Sequence, residues 1–445
     1  MSVANAIRDA WKIEELRNRI LATLGFLLVY RIGAFIPLPG IDPTQLAALD
    51  RQTSGGLLGL LNAFTGGAFA QASVMALGIM PYISASIVVQ LMGIAVPYIQ
   101  KLQQEGESGQ NKINQMTRWL TIAICLVQAP TYVTNLKVQL PSTAFLLGDT
   151  LFWIIAIIVL VAGTVFAMWL GEKITDRGIG NGISLLITVG IISRLPAAVI
   201  QEYAARVQQA GGGFLMLLIE AVLWIVVIAL AILLTIAVRK IPLQYARRST
   251  DGRRQVVGAR QYIPLKLNAA GVMPIIFAQA IMFLPMTLLQ LSNSSFAKGA
   301  LAQFTNIWGV TYNVVFALLI ILFTYFYTAI TVPTNRMADD LKKSNSFIPG
   351  VRPGSDTAEY LDEIMSKITL PGSIFLALIA ILPAFAYFFG VKQAFALFFG
   401  GTSLLIMVGV TIDTLQQINS YLLNRHYDGL MKSGRGPRPK TRIAQ

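Results

Sequence analysis

Residues 76 to 91 read ALGIMPYISASIVVQL. The stretch is apolar enough for the interior of a bilayer, yet it carries Pro81, Tyr82, Ser84, Ser86 and Gln90 among its aliphatics. A helix that met lipid on every side would gain nothing from them, because hydrocarbon offers polar groups no partner. At helical spacing Ile79, Ile83 and Ile87 form one stripe, and Ser86 and Gln90 make a polar pair beside it. Pro81 falls in the opening turn, where its missing N–H does least harm. The segment is therefore a membrane helix with more than one environment. The glycine-rich GIGNGISLLITVG, residues 178 to 190, repeats the isoleucine spacing at Ile183 and Ile187. Stripes of this kind are ordinarily packing faces, and spacing alone does not raise them above that.

Around this stretch the chain is 445 residues long, 55% hydrophobic and 13% charged, outside the range of soluble domains. Windows of roughly 17 to 25 apolar residues, enough to cross the hydrocarbon core as helices, occur ten times. They lie near 20 to 36, 74 to 97, 117 to 136, 151 to 170, 179 to 196, 214 to 237, 268 to 291, 308 to 332, 371 to 389 and 395 to 419. An even number of spans puts both termini on one side. Of the 35 Lys and Arg residues, 28 fall in segments on the side of the termini and seven elsewhere. The positive-inside rule makes that basic side cytoplasmic. Residues 1–19 are then a cytoplasmic amino-terminal segment, 20–196 carry spans one to five, and 197–213 form an external hinge. Residues 214–420 carry spans six to ten, with cytoplasmic loops at 238–267 and 333–370, and 421–445 are a basic tail. Five spans on each side of 197–213 require related halves to be inverted, although no self-similarity between them is visible. The expected class is an all-α polytopic membrane protein. Its first span is retained, because the first apolar run is followed by no small-residue cleavage site. The single cysteine, Cys125, lies inside a span and can form no internal disulfide.

The external loop 37 to 73 contains GGLLGLLNAF, residues 55 to 64, an apolar stretch too short to span. It can lie on the outer leaflet as an interfacial helix, or dip into the protein as a re-entrant element whose backbone is shielded. In the loop 239 to 266 prolines bracket basic residues, which predicts an ordered hairpin. The loop 333 to 370 holds FIPGVRPG, stiffened by Pro349 and Pro353, and ends in an acidic helical pattern. Basic loops of this kind contact anionic lipid; their length also suits docking to a large acidic partner.

Catalytic chemistry has little to stand on. One histidine, His426, allows no two-histidine metal site, and no phosphate-binding GxxxxGK[ST] occurs. No enzyme, metal or cofactor is expected, and any ATP-driven work must come from elsewhere. Within the spans the ionisable residues singled out are Arg31, Glu220 and Asp413. Coupled transporters keep paired charges near the midplane, so this scarcity weighs against a small-solute secondary transporter. A pore-less scaffold is the other alternative.

At these same stretches the chain resembles the SecY family, channel-forming subunits of the bacterial protein translocase. The likeness runs from about residue 10 to about 430. It is carried by YRIGAFIPLPGID (30 to 42), ALGIMPYISASIVVQL (76 to 91), EGESGQNKINQ (105 to 115), MWLGEKITDRGIGNGIS (168 to 184), IPLKLNAAGVMP (263 to 274), FIPGVRPG (347 to 354) and FFGGTSLLI (398 to 406). The resemblance implies ten transmembrane helices in two inverted halves around an hourglass pore with a lateral gate in the cytoplasmic (inner) membrane. By motif alignment the family's pore ring falls on Ile79, Ile83, Ile183, Ile187, Ile276 and Ile406. The plug falls on about 57 to 67, with Leu57, Leu58, Leu60, Leu61 and Phe64 as its apolar residues. Ser86 and Gln90 meet the lateral gate, a seam between spans two and three on one side and seven and eight on the other. Arg352 matches an arginine used for docking, with Arg247, Arg248, Arg253 and Arg254 on the neighbouring loop. The implied partners are SecE-type and SecG-type small membrane subunits, the SecA motor ATPase, the ribosome, signal-sequence-bearing precursor proteins and anionic membrane lipids.

Overall fold

Every segment expected to span is helical over much of its length in the computed structural model, which describes residues 11, 13–46, 59, 62–207, 213–245, 261–290 and 306–433. The helices are α1 (Glu14–Phe35), α2 (Met80–Ala95), α3 (Pro97–Gln104), α4 (Glu107–Gln139), α5 (Asp149–Arg177), α6 (Gly182–Val207), α7 (Gly213–Ile236), α8 (Met273–Gln290), α9 (Val310–Thr331), α10 (Thr334–Lys343), α11 (Ser355–Phe388), α12 (Gln393–Ala396) and α13 (Gly401–Ser433). By length and composition seven of the described helices can cross a membrane, and α2 with α3, bent sharply at their break, makes an eighth candidate. Helices α8 and α13 overlie the other two expected spans.

Three details add to these expectations. The helical fold carries one small sheet outside its spans: β1 (Val238–Tyr245), β2 (Gln261–Lys266) and β3 (Ser346–Phe347) are antiparallel, in the order β2-β1-β3. The predicted hairpin is the β1–β2 pair, in register from Val238 opposite Lys266 to Leu243 opposite Gln261. Second, α6 continues through Pro196 to Val207, so much of the expected external hinge is helix. Third, the second span does not begin as a helix at 74. Residues 74–79 lie in turns, and α2 starts at Met80. At the 3₁₀ turn Pro43–Gln45 the chain is tied locally. The Asp42 carboxylate accepts from the Thr44 N–H and hydroxyl at 3.0 and 2.8 Å, and these bonds hold its carboxyl below the usual carboxylate range.

Two compact units contain these elements, one of residues 1–49, 65–190 and 410–445, the other of 50–64 and 191–409. In the first, the apolar core gathers Tyr30, Met75, Ile79, Leu170, Ile174 and Leu186. A bidentate pair from Arg118 to Glu172, both bonds 2.8 Å, ties α4 to α5. In the second, β1, β2 and the ends of α10 and α11 enclose Ile241, Leu243, Leu265, Ile348, Leu361 and Met365. Helix α7 illustrates why these helices need a membrane. Glu220, Val227, Ala231 and Leu234 are buried, whereas Leu218, Val222, Ile225, Val226 and Leu233 are exposed. Large aliphatics outside and small or partnered residues inside suit a hydrocarbon solvent.

Candidate functional site

Residues 65 to 79 form the base on which α2 stands. Ala68, Ala70, Ala72, Ser73 and Ala76 are completely buried, in a segment without a regular helix. Such backbone is tolerated at membrane depth only where protein surrounds it, and its partners are close. The Tyr132 hydroxyl donates to the Phe69 carbonyl at 2.8 Å, and the two rings meet edge to face at 4.8 Å. Leu38 N–H donates to the Ala72 carbonyl, and Val74 N–H to the Ile36 carbonyl. On α5, Gly163 leaves no room for a side chain, since a Cβ there would lie 2.1 Å from the Val74 carbonyl oxygen. Gly78, at φ +52°, then reverses the chain into α2, with Pro81 in its first turn.

The glycine-rich turn before α6 serves the same purpose. Its amides are taken by protein groups: Ile179 N–H by Thr23 Oγ1 at 3.1 Å, Gly180 by Gln417 Oε1 at 2.8 Å and Gly182 by Thr175 Oγ1 at 2.9 Å. Asn181 caps the helix, its Oδ1 accepting from Ile183 and Ser184. A Cβ at Gly182 would sit 2.0 Å from the Gly171 carbonyl oxygen, so the glycine lets the start of α6 lie against α5. These amides position α6 rather than bind an anion.

The two starts bring three of the predicted ring residues together within the first unit. Ile79 is buried in its core, and Ile83 and Ile183 are partly buried at the edge of the same cluster. Ile187, one turn further along α6, is buried. In the second unit Ile276 lies half-buried in the first turn of α8, and Ile406 is buried in α13. On the flank of α2 the Gln90 amide donates to the Ser86 hydroxyl at 3.3 Å, and both side chains stay half-buried. Of the predicted plug residues, Phe64 is described. It ends a helical stretch and, with Gln279, Tyr312, Phe316 and Ser403, lines a cavity of about 40 Å³ in the second unit. Leu57, Leu58, Leu60 and Leu61 lie outside the described residues, as do Arg247, Arg248, Arg253 and Arg254.

Arg352 is exposed on a braced tip. Beneath it Ile348 is buried in the sheet's core, and β3 pairs with β1 at Gln244 opposite Phe347 and Tyr245 opposite Ser346. Gly350 at φ +86° and Gly354 at φ +118° shape the turn, and the Thr357 hydroxyl donates to the Arg352 carbonyl at 2.7 Å. Exposed Arg239, Lys240 and Lys266 lie on the same sheet.

The sequence reading missed a buried charge cluster. Arg206 Nε donates to Glu202 at 2.9 Å, and its Nη2 donates to Glu220 and to the Gly390 carbonyl. The second oxygen of Glu202 accepts from Lys392 N–H at 2.8 Å. The signal was present, since Glu202 and Arg206 stand four residues apart, but both fell in the presumed loop. Glu220 is thus a packing partner, whereas Asp413 is exposed. Arg31 donates to the Gly66 carbonyl.

With this geometry in place, comparison with known proteins gives the family. The SecY family model matches residues 73–415. The protein translocase subunit SecY of Streptomyces lividans is 40% identical over 444 residues, covering 96% of this chain and 99% of that protein. That of Vibrio cholerae is 41% identical over 429 residues, covering 94% and 95%. Among solved structures, a protein conducting channel aligns with TM-score 0.59 at 17% identity over 91% of this chain and 92% of that one. A SecY structure described by its plug domain, which stabilises the closed state of the translocation channel and maintains a membrane seal, aligns with TM-score 0.58 at 18% identity over the same shares. Sec61 in the canine ribosome-channel complex aligns with TM-score 0.56 at 17% identity, also over 91% and 92%. The buried, irregular base under α2, the glycine-set start of α6 and full-length identity to translocase subunits agree, and the chain belongs to the SecY family, the protein-conducting channel of the Sec translocase.

Proposed function

We propose that Ile79, Ile83, Ile183, Ile187, Ile276 and Ile406 form the constriction through which this channel passes unfolded, signal-bearing polypeptides. The observation that carries the reading is the partial burial of Ile83 and Ile183 beside one core, on two helices whose starts are fixed by glycine, proline and an asparagine cap. Branched aliphatics offer a passing chain no hydrogen bond. A bare ion in a dry throat loses hydration worth, in the idealised limit, on the order of tens of kcal/mol, and narrow apolar necks also gate by dewetting. The segment about 57 to 67 is the plug of this constriction. A SecY structure in which the plug stabilises the closed state supports that assignment. Ser86 and Gln90 belong to the seam through which apolar segments leave for lipid, where about twenty apolar residues are better solvated than in a wet pore.

The chain works in the cytoplasmic membrane with both termini inside, as the basic asymmetry indicates. The Arg352 tip and the basic loop with Arg247, Arg248, Arg253 and Arg254 dock the SecA motor ATPase or the ribosome. A relative solved within a ribosome-channel complex supports the second. SecE-type and SecG-type subunits and anionic lipids complete the surroundings. The test is crosslinking to a precursor stalled during ATP-driven import into vesicles. With Cys125→Ser as background, Ile83→Cys and Ile187→Cys should each crosslink to the precursor, and Leu223→Cys on the exposed face of α7 should not. Absence of crosslinks at both isoleucines would overturn the constriction.

A further inference from the structure

The two halves of the chain share no overall likeness, but one short stretch occurs twice. GISLLITVG, residues 182 to 190, opens α6, and GTSLLIMVG, residues 401 to 409, opens α13. Seven of the nine positions are identical, and the repeat places Ile187 and Ile406 at the same point. Each copy ends one turn later on a buried glycine, Gly190 in the first unit and Gly409 in the second. Glycine inside a helix is less favourable than alanine, so its recurrence at the same place in both copies points to a packing demand there.

The surroundings repeat as well. In the first unit the irregular segment leading into α2 passes α6 so closely that a Cβ at Gly66 would fall 2.7 Å from the Gly190 Cα. The same segment lies against α5, where a Cβ at Gly163 would fall 2.1 Å from the Val74 carbonyl oxygen. In the second unit the turns at 267–272 lead into α8, and a Cβ at Gly409 would fall 3.0 Å from Val272 Cγ2. Those turns lie against α11, where a Cβ at Gly372 would fall 2.9 Å from the Leu267 carbonyl oxygen. In each unit, therefore, a glycine one turn beyond a ring isoleucine lets its helix rest on the lead-in of the other ring-bearing helix. The pairs are α6 with α2, which carries Ile83, and α13 with α8, which carries Ile276.

We propose that Gly190 and Gly409 are positioning residues that set the calibre of the constriction. Their missing side chains fix how near the two ring-bearing helices of each unit approach, and so the gap between the isoleucines those helices carry. This rests on the constriction reading above. Packed interiors yield little to an added group, so a side chain at either position pushes its helix away from the neighbouring lead-in. An apolar throat that widens admits water and loses its barrier to ions.

The experiment measures resting ion conductance of the full channel with its partner subunits in planar bilayers. Gly190 and Gly409 are each replaced by Ala and by Leu, with Gly25→Ala as the control, since a Cβ there meets nothing within 4 Å. Conductance is expected to rise with side-chain size, severalfold for Leu, and to stay at the wild-type level in the control. Adding Val272→Ala is expected to cancel the effect of Gly409→Ala, because it removes the methyl that the new Cβ meets. Glycine variants as tight as the wild type, beside a leaking Ile187→Asn, would overturn the calibre role and leave the constriction standing. Tight Ile187→Asn and Ile406→Asn channels would remove the constriction reading and the calibre role together. A Gly25→Ala leak equal to theirs, or a Gly409→Ala leak that Val272→Ala does not reduce, would also overturn the proposal. Should the leucine variants not accumulate in membranes, the alanine variants and the Val272 pair decide the same question.

Discussion

Arg206 holds two carboxylates, a carbonyl and the turn before α12 in one buried cluster. Removing one partner of a buried ion pair leaves charge without compensation, which costs about 3–5 kcal/mol. Arg206→Met should therefore lower the melting temperature of the purified complex, and adding Glu202→Gln and Glu220→Gln should recover much of the loss. A single Arg206→Met channel as stable as the wild type would show that the cluster contributes nothing net. Position 206 also shows where sequence stopped being informative. Glu220 was visible as an intramembrane charge, but its partner was not, because the apolar window ended at Pro196 and the helix did not. Arg31 was hidden for a different reason. Its acceptor is a backbone carbonyl 35 residues away, and a carbonyl carries no sequence signal.

Among the elements, the sheet was half legible. Prolines bracketing a basic stretch predicted the β1–β2 hairpin, whereas β3 has two residues and exists through its pairing with β1. That short strand decides how firmly Arg352 is presented. Arg352→Glu reverses the charge on an exposed, braced tip without touching the buried Ile348. It should abolish motor-driven export while the protein still accumulates in the membrane; normal precursor export by this variant would refute docking there. The start of α2 was misread on physical grounds. Apolar residues at 74 to 79 look like helix to any hydropathy window, but burial of irregular backbone needs the same composition, and only Gly78 and Pro81 hint at the switch.

For the whole molecule, ten apolar segments and a one-sided distribution of basic residues specified a polytopic membrane protein, since span length and orientation follow from composition along the chain. The proposed constriction was not legible that way. An isoleucine stripe looks the same on a packing face and on a pore wall, and it was the family motifs around Ile79, Ile83, Ile183 and Ile187 that singled these residues out. The structure adds that Ile83 and Ile183 lie at the margin of a core rather than within it. The account stands on an apolar throat that passes a polypeptide and stops salt, and the most direct measurement is the ion conductance of resting channels in planar bilayers. Ile83→Asn and Ile187→Asn should each wet the throat and raise that conductance severalfold above wild type, by relief of the desolvation barrier; conductance unchanged in both variants would contradict it.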